Sequence, residues 1–211
     1  VDADEEWRRV GEVIGELVTW QVPVSLDSMK PSLMRKAVDC GVAILNDVQG
    51  FRSVEAQQVL SNSNCAGVIM HMQGEPRSMQ HSPAYQQVVP EVTQFLGQQL
   101  QALEAAGVSS SRLLVDPGFG FGKNLDHNLE LMRAIPELGK LGAGVLIGVS
   151  RKRMIGELTG RSEPIQRVSG SVAAALYAAA QGAAVIRVHD VAATVDALKV
   201  QAALLSIPAT A

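Results

Sequence analysis

Cysteine, charge of one sign and long apolar runs are all scarce in this chain, and each scarcity removes a class of protein. Only two cysteines, Cys40 and Cys65, occur in 211 residues. They lie far apart and form no metal-spaced pair, so a disulfide framework is excluded and reduced thiols in a cytosol are expected. The four histidines fall in no metal-ligand spacing, which argues against a structural zinc. Charged residues make up 18 % of the chain and the net charge is -3. That balance gives no basic field for a polyanion, so nucleic acid is not an expected partner. Any phosphate recognition must rest on a few placed residues. No apolar run reaches the roughly 18 residues of a membrane span. The first residues also lack the basic-then-apolar pattern of a secretory signal, and no Met opens the chain.

What is present is a regular alternation. The chain is 47 % hydrophobic, enough for one sizeable core, and a single domain over residues 1–211 is expected. Short apolar runs at 22–26, 42–46, 67–71, 112–115, 144–148 and 184–188 are apolar on both faces, as parallel strands covered by helices should be. Helical patterns separate them, after an opening helix over about 5–18. Pro31 suits a first helical position, and Gly41 stands where that helix should stop. A longer helix over 86–106 ends at Gly107, an Ala-rich one over 171–181 ends at Gly182, and Asp190 is placed to N-cap a last helix through Leu205.

Such βα repetition fits a barrel or a doubly wound sheet, and the polar residues favour the barrel. Asp27, Asn46-Asp47, His71, Asp116, Ser150-Arg-Lys152 and Arg187 with His189-Asp190 each follow a strand in turn. Polar groups from many strand ends converging on one cavity mouth is the pattern of a TIM (β/α)8 barrel, whereas a doubly wound sheet gathers its ligand residues at one switch point. Six units do not close an eight-stranded barrel, and an open parallel sheet exposes its edges. The expectation is therefore a barrel truncated to about six of eight strands, with two βα units preceding Val1.

The segment Leu113 to Asn124 carries the most specific pattern. Asp116 ends a strand, Pro117 stops it, and Gly118, Gly120 and Gly122 let backbone come close to a ligand. The spacing fits neither a Walker A loop nor a dinucleotide fingerprint. Read alone, it is equally a tight turn with an Asx residue. Gly148-Val-Ser-Arg-Lys-Arg153 places Lys152 just past a strand, although a solvated basic cluster is the plainer reading. Arg187 and His189 alternate with Ile186 and Val188, so both point to one face. Two cationic groups on an interior face suggest an anion site. Asp27 and Asn46 could offer an acceptor and an amide to a heterocycle, and each alone is as readily a turn or cap residue. His71 reads more simply as a hydrogen-bonded structural residue, and His81 and His127 as surface or cap residues.

Taken together, Asp116-Pro-Gly-Phe-Gly-Phe-Gly-Lys123, Ser150-Arg-Lys152 and Arg187-Val-His-Asp190 closely resemble bacterial dihydropteroate synthases. So do Val24-Ser-Leu-Asp27, Ile44-Leu-Asn-Asp47 and Met70-His-Met-Gln-Gly74, and the resemblance runs the length of the chain. It implies condensation of 6-hydroxymethyl-7,8-dihydropterin diphosphate with p-aminobenzoate to 7,8-dihydropteroate, with release of diphosphate. It further implies that Asp27, Asn46 and Asp116 bind the pterin ring and that Met72, Phe121 and Gly148 surround it. Lys152 would reach the pterin carbonyl, Ser150 would lie near the aminobenzoate, and Arg187, Val188 and His189 would contact the diphosphate end. Lys152, Arg187 and His189 are the implied catalytic residues. Mg²⁺ is the implied cofactor, but its Asn ligand and a Thr and Arg near the substrates belong to two earlier family loops outside these residues. Sulfonamide inhibition, a homodimer, no membrane partner and a cytoplasmic location are also implied. A corrinoid-linked pterin methyltransferase is the nearest alternative; it has no use for the Arg187–His189 pair or Ser150-Arg-Lys152. A non-catalytic pterin-binding paralogue is the other.

Overall fold

The computed structural model describes residues 1–74 and 83–205, so His81 lies outside the described residues. The chain forms two compact units. One comprises Val1–Met72, Pro90–Gly118 and Leu141–Ala143; the other comprises Gln73–Val89, Phe119–Lys140 and the chain from Gly144 on.

The first unit opens with helix α1, Ala3–Thr19, which Asp2 N-caps by accepting from the Glu5 N–H at 2.8 Å. Strand β1 (Ser25–Asp27), helix α2 (Pro31–Cys40), β2 (Ile44–Asp47), α3 (Val54–Ser61), β3 (Ala66–Met70), α4 (Val88–Ala105, in this unit from Pro90) and β4 (Leu113–Asp116) follow. The strands pair in parallel in chain order, Ser25 with Ile44, Ile44 with Ala66 and Gly67 with Leu113. Helices of this length are marginal alone, so packing must hold them. Leu33, Met34 and Ala37 of α2, Ala56 and Leu60 of α3, and Leu96 and Leu103 of α4 are all fully buried. Gly67 lets α3 lie close on β3, because a Cβ there would meet Leu60 Cδ2 at 2.5 Å. The Arg112 guanidinium ties α3 and β3 to β4 by donating to the carbonyls of Leu60, Ser63 and Cys65. Lys30 pairs with Glu6 at 2.6 Å, fixing α1 to the start of α2.

In the second unit, helices α5 (Leu125–Arg133) and α6 (Ile135–Leu138) precede β5 (Gly144–Ile147). Helices α7 (Arg153–Thr159) and α8 (Val168–Ala180), strand β6 (Val185–Ile186) and helix α9 (Val191–Leu205) complete it. β6 pairs in parallel with β5, Leu146 beside Val185 and Ile147 beside Ile186.

The expected helices are present, and Pro31, Gly41, Gly107 and Gly182 stand where those helices begin or stop. Four strands are shorter than their apolar runs, β1 and β6 most of all. Residues 22–24 precede β1, and β6 ends at Ile186, before Arg187 to Val188. Val22 and Val185 are exposed, so apolar content there does not mark a buried strand. Asp190 does sit one residue before α9, and its carbonyl accepts from the Thr194 N–H. Its carboxylate, however, is taken by Arg151 and not spent on a cap.

Candidate active site

Register fixes the placement of the site candidates in the first unit. In parallel strands, paired residues share a face and the face alternates along each strand. Asp27 pairs with Asn46, and Asn46 with Val68. Met70, two residues beyond Val68, pairs with Asp116. Asp27, Asn46 and Asp116 therefore project from one face of neighbouring strands, all at the C-terminal ends. Asp47 falls on the opposite face.

The local chemistry differs for each. Asp116 is 5 % exposed and its Oδ1 accepts from the Gly118 N–H at 2.7 Å. A carboxylate oxygen has more than one lone pair, so this bond orients the group without consuming it. Asn46 is equally buried, and its Oδ1 has no hydrogen-bond partner among the described residues. A buried acceptor left so costs about 1–3 kcal/mol, which a ligand N–H would recover. Asp27 is exposed at the strand end. Asp47 has a structural role: its two oxygens accept from the Gln49 and Phe51 N–H groups at 2.8 Å each. Burial pushes its carboxyl above the usual range, against those two bonds, and the nearby Asp27 adds to the rise.

His71 follows the plainer reading. Its N–H donates to the Asp116 carbonyl at 2.9 Å, and its ring stands edge-on to Phe95 at 5.1 Å. Met72 is buried, and its carbonyl accepts from Arg52.

The second unit holds the cations. Gly148 lies beside Arg187, since a Cβ on the glycine would sit 3.9 Å from the arginine Cβ. One step along the same face, Ser150 Oγ is 3.0 Å from His189 Nδ1 and also accepts from the His189 N–H at 3.1 Å. Ser150 thus holds both the backbone and the ring of His189. Val188, between Arg187 and His189, is half-buried.

Three consecutive basic residues meet three fates. Arg151, in the left-handed region at φ 59, grips Asp190 with Nε at 3.0 Å and Nη2 at 2.5 Å. The guanidinium holds the Asp190 carboxyl below its ordinary range, and the arginine is raised in turn. Arg153 pairs with Glu157 on the surface. Lys152 reaches the glycine loop, where Nζ donates to the Phe119 carbonyl at 2.6 Å and lies 4.8 Å from the Phe121 ring centroid. An open cleft of about 400 Å³ runs beside this loop, walled by Lys123, Asn124, Asn128, Lys152, Arg153 and Glu157 among others.

Comparison with known proteins decides what this arrangement belongs to. The family model described as pterin binding enzyme matches residues 1–189. A dihydropteroate synthase of Neisseria meningitidis serogroup C is 49 % identical over 207 residues, covering 97 % of this chain and 73 % of that protein. The solved dihydropteroate synthase of Xanthomonas albilineans in complex with 7,8-dihydropteroate is 49 % identical, with a TM-score of 0.93 over 99 % of this chain and 79 % of the other. That of Yersinia pestis, solved as a sulfonamide drug complex, is 39 % identical with a TM-score of 0.93, covering 97 % and 74 %. The chain belongs to the dihydropteroate synthase family.

Membership gives the fold class as the (β/α)8 barrel of dihydropteroate synthases, of which six strands lie among the described residues. Some contacts fall on residues that the sequence did not single out for a site role. His127 caps α5, accepting from the Asn124 N–H while Asn124 accepts from its own. Asn128, Arg52 and Tyr85 were not singled out. Tyr85 donates to the Gly122 carbonyl at 2.9 Å, and Arg52 lies over Phe95 as well as bonding Met72. Asn128 had a readable signal: it is polar on the same helical face as Leu131 and Met132.

Proposed function

We infer that this chain performs the dihydropteroate synthase reaction, joining the methylene carbon of dihydropterin diphosphate to the amine of p-aminobenzoate. The observation that carries the reading is the shared face of Asp27, Asn46 and Asp116 within a chain of this family. A pterin edge presents an amidine-like pair of N–H donors, which the Asp116 carboxylate can accept in bidentate fashion. Asn46 Oδ1 offers the buried acceptor described above, and Asp27 a further one. Met72, Phe121 and Gly148 are assigned to the ring by family resemblance.

The amine nitrogen attacks the methylene carbon as the carbon–oxygen bond to diphosphate breaks, and the amine proton is lost to solvent. An aniline nitrogen is already nucleophilic, so no general base is required. The barrier falls to the extent that charge on the departing diphosphate is met by donors held in place beforehand. Arg187 and the His189 ring, on either side of Val188, are assigned that work. Lys152, whose Nζ donates to the Phe119 carbonyl, is assigned to the pterin carbonyl by family resemblance. Ser150 was expected beside the aminobenzoate; its bonds to His189 support an orienting role at the diphosphate end as well.

Mg²⁺ is proposed to arrive with the diphosphate. Among the described residues no three carboxylate, imidazole or thiolate side chains come together, so these protein groups form no cage for it, and no step is drawn through the metal. A homodimer is proposed through α7 and α8, where Leu158 and Tyr177 are exposed beside an apolar hollow of about 380 Å³. Cys40 and Cys65 are free thiols, in keeping with a cytoplasmic location. Among the described residues no helix is long and apolar enough to cross a membrane.

The test is direct. Protein carrying this chain, given dihydropterin diphosphate, p-aminobenzoate and Mg²⁺, should yield dihydropteroate by mass spectrometry. Tight pterin binding without product would favour the non-catalytic alternative.

A further inference from the structure

We propose that Asn128 is a positioning residue for the reaction, locking the glycine loop that holds the Lys152 ammonium. Asn128 stands one turn into α5 and is 3 % exposed. Both ends of its amide are used. Oδ1 accepts from the Gly120 N–H at 2.9 Å, and Nδ2 donates to the Asn124 carbonyl at 2.6 Å. One rigid side chain thus ties the middle of the loop to the first turn of the helix.

The residues on either side of Gly120 are those that hold the lysine. Phe119 supplies the carbonyl at 2.6 Å, and Phe121 the ring at 4.8 Å. Gly120 itself lies under the lysine stem, where an added Cβ would be 3.7 Å from Cδ. A shift of the Gly120 peptide therefore moves both supports of the ammonium together. A lysine keeps full rotamer freedom unless its head is held, so a loosened loop spreads the donor over positions that miss its acceptor. Asn128 never touches the substrate in this scheme; it acts through Lys152.

The choice of amide over acid is informative. An aspartate would keep the bond to Gly120 but set an oxygen against the Asn124 carbonyl. Its negative charge near the start of α5 is otherwise tolerable. The acid should therefore keep the Gly120 bond while losing the Asn124 one, and alanine should lose both.

The proposal rests on Lys152 contacting the pterin, and the experiment separates the two. Affinity for the unreactive 6-hydroxymethylpterin diphosphate is measured by calorimetry on the full chain. Asn128→Ala should weaken binding about tenfold, and less than about twofold when Lys152→Ala is already present, since coupled residues are not additive. Asn128→Asp should stay within about threefold of the unsubstituted protein. Should Asn128→Ala fail to fold by its melting curve, Asn128→Ser replaces it in the same cycle. Equal losses in both lysine backgrounds, or an aspartate as impaired as the alanine, would overturn the proposal and leave the pterin assignment standing. Unaltered affinity in Lys152→Ala alone would instead remove Lys152 from the ring, and the proposal with it.

Discussion

Replacing Gly118 by alanine separates backbone strain from steric exclusion at the turn that aims Asp116. Gly118 has φ 70, and a Cβ there would lie well inside 3.0 Å of the His71 carbonyl oxygen. Gly107 has φ 91 and nothing within 4 Å of the same built atom, so it serves as the control. At either position an L side chain costs about 1–2 kcal/mol for the left-handed conformation. Only at Gly118 must the chain also move. The obstacle is backbone, and the His71 N–H is already bonded to the Asp116 carbonyl, so the turn has to yield by on the order of an ångström. That displaces the Gly118 N–H from Asp116 Oδ1, a bond of 2.7 Å. Gly118→Ala should therefore cost about 3–5 kcal/mol against about 1–2 kcal/mol for Gly107→Ala. Urea unfolding midpoints, read with unchanged slopes, give both values. Pterin affinity should fall only in the Gly118 variant. Equal destabilisation by the two substitutions would refute the steric argument.

Other outcomes follow from the same contacts. Arg112→Ala removes the donor to three carbonyls at the end of α3 and the start of β3, and should cost about 2–3 kcal/mol in the same unfolding assay. Asp190 has a carboxyl held below the ordinary range by Arg151, so the pair stabilises fully above that range and the stabilisation is lost as pH falls through the lowered value. Asp190→Asn should then show a flatter acid limb in melting temperature against pH, and an unchanged limb would contradict the pairing. A sulfonamide should raise the KM for p-aminobenzoate while leaving kcat unchanged; inhibition insensitive to p-aminobenzoate would contradict a shared pocket.

The sequence carried the elements well because its punctuation is local. Pro31 opens α2, Gly41 ends it, and the short β-rich runs of Ile44 to Asp47 and Ala66 to Met70 leave few alternatives. The shared face of Asp27, Asn46 and Asp116 was legible for a related reason: each stands at the end of an apolar parallel strand. What stayed hidden depends on partners distant in sequence. Nothing local says that Arg151 will bond Asp190, 39 residues on, or that Ser150 will hold His189 at the same separation. Asp47 and Asn46 are neighbours with similar chemistry, and only the register of β2 sends one to the loop and the other to the face shared with Asp27 and Asp116. Asn128 is marked in the sequence only as a polar residue on an apolar helical face, and its two bonds show why it is there.

The most direct measurement is calorimetric titration of Asp116→Asn with a pterin and, separately, with inorganic diphosphate. The amide cannot accept two N–H donors, so pterin affinity should fall by about tenfold or more while diphosphate affinity stays within about twofold. An Asn variant that binds the pterin as tightly as the native carboxylate would contradict the account at its centre.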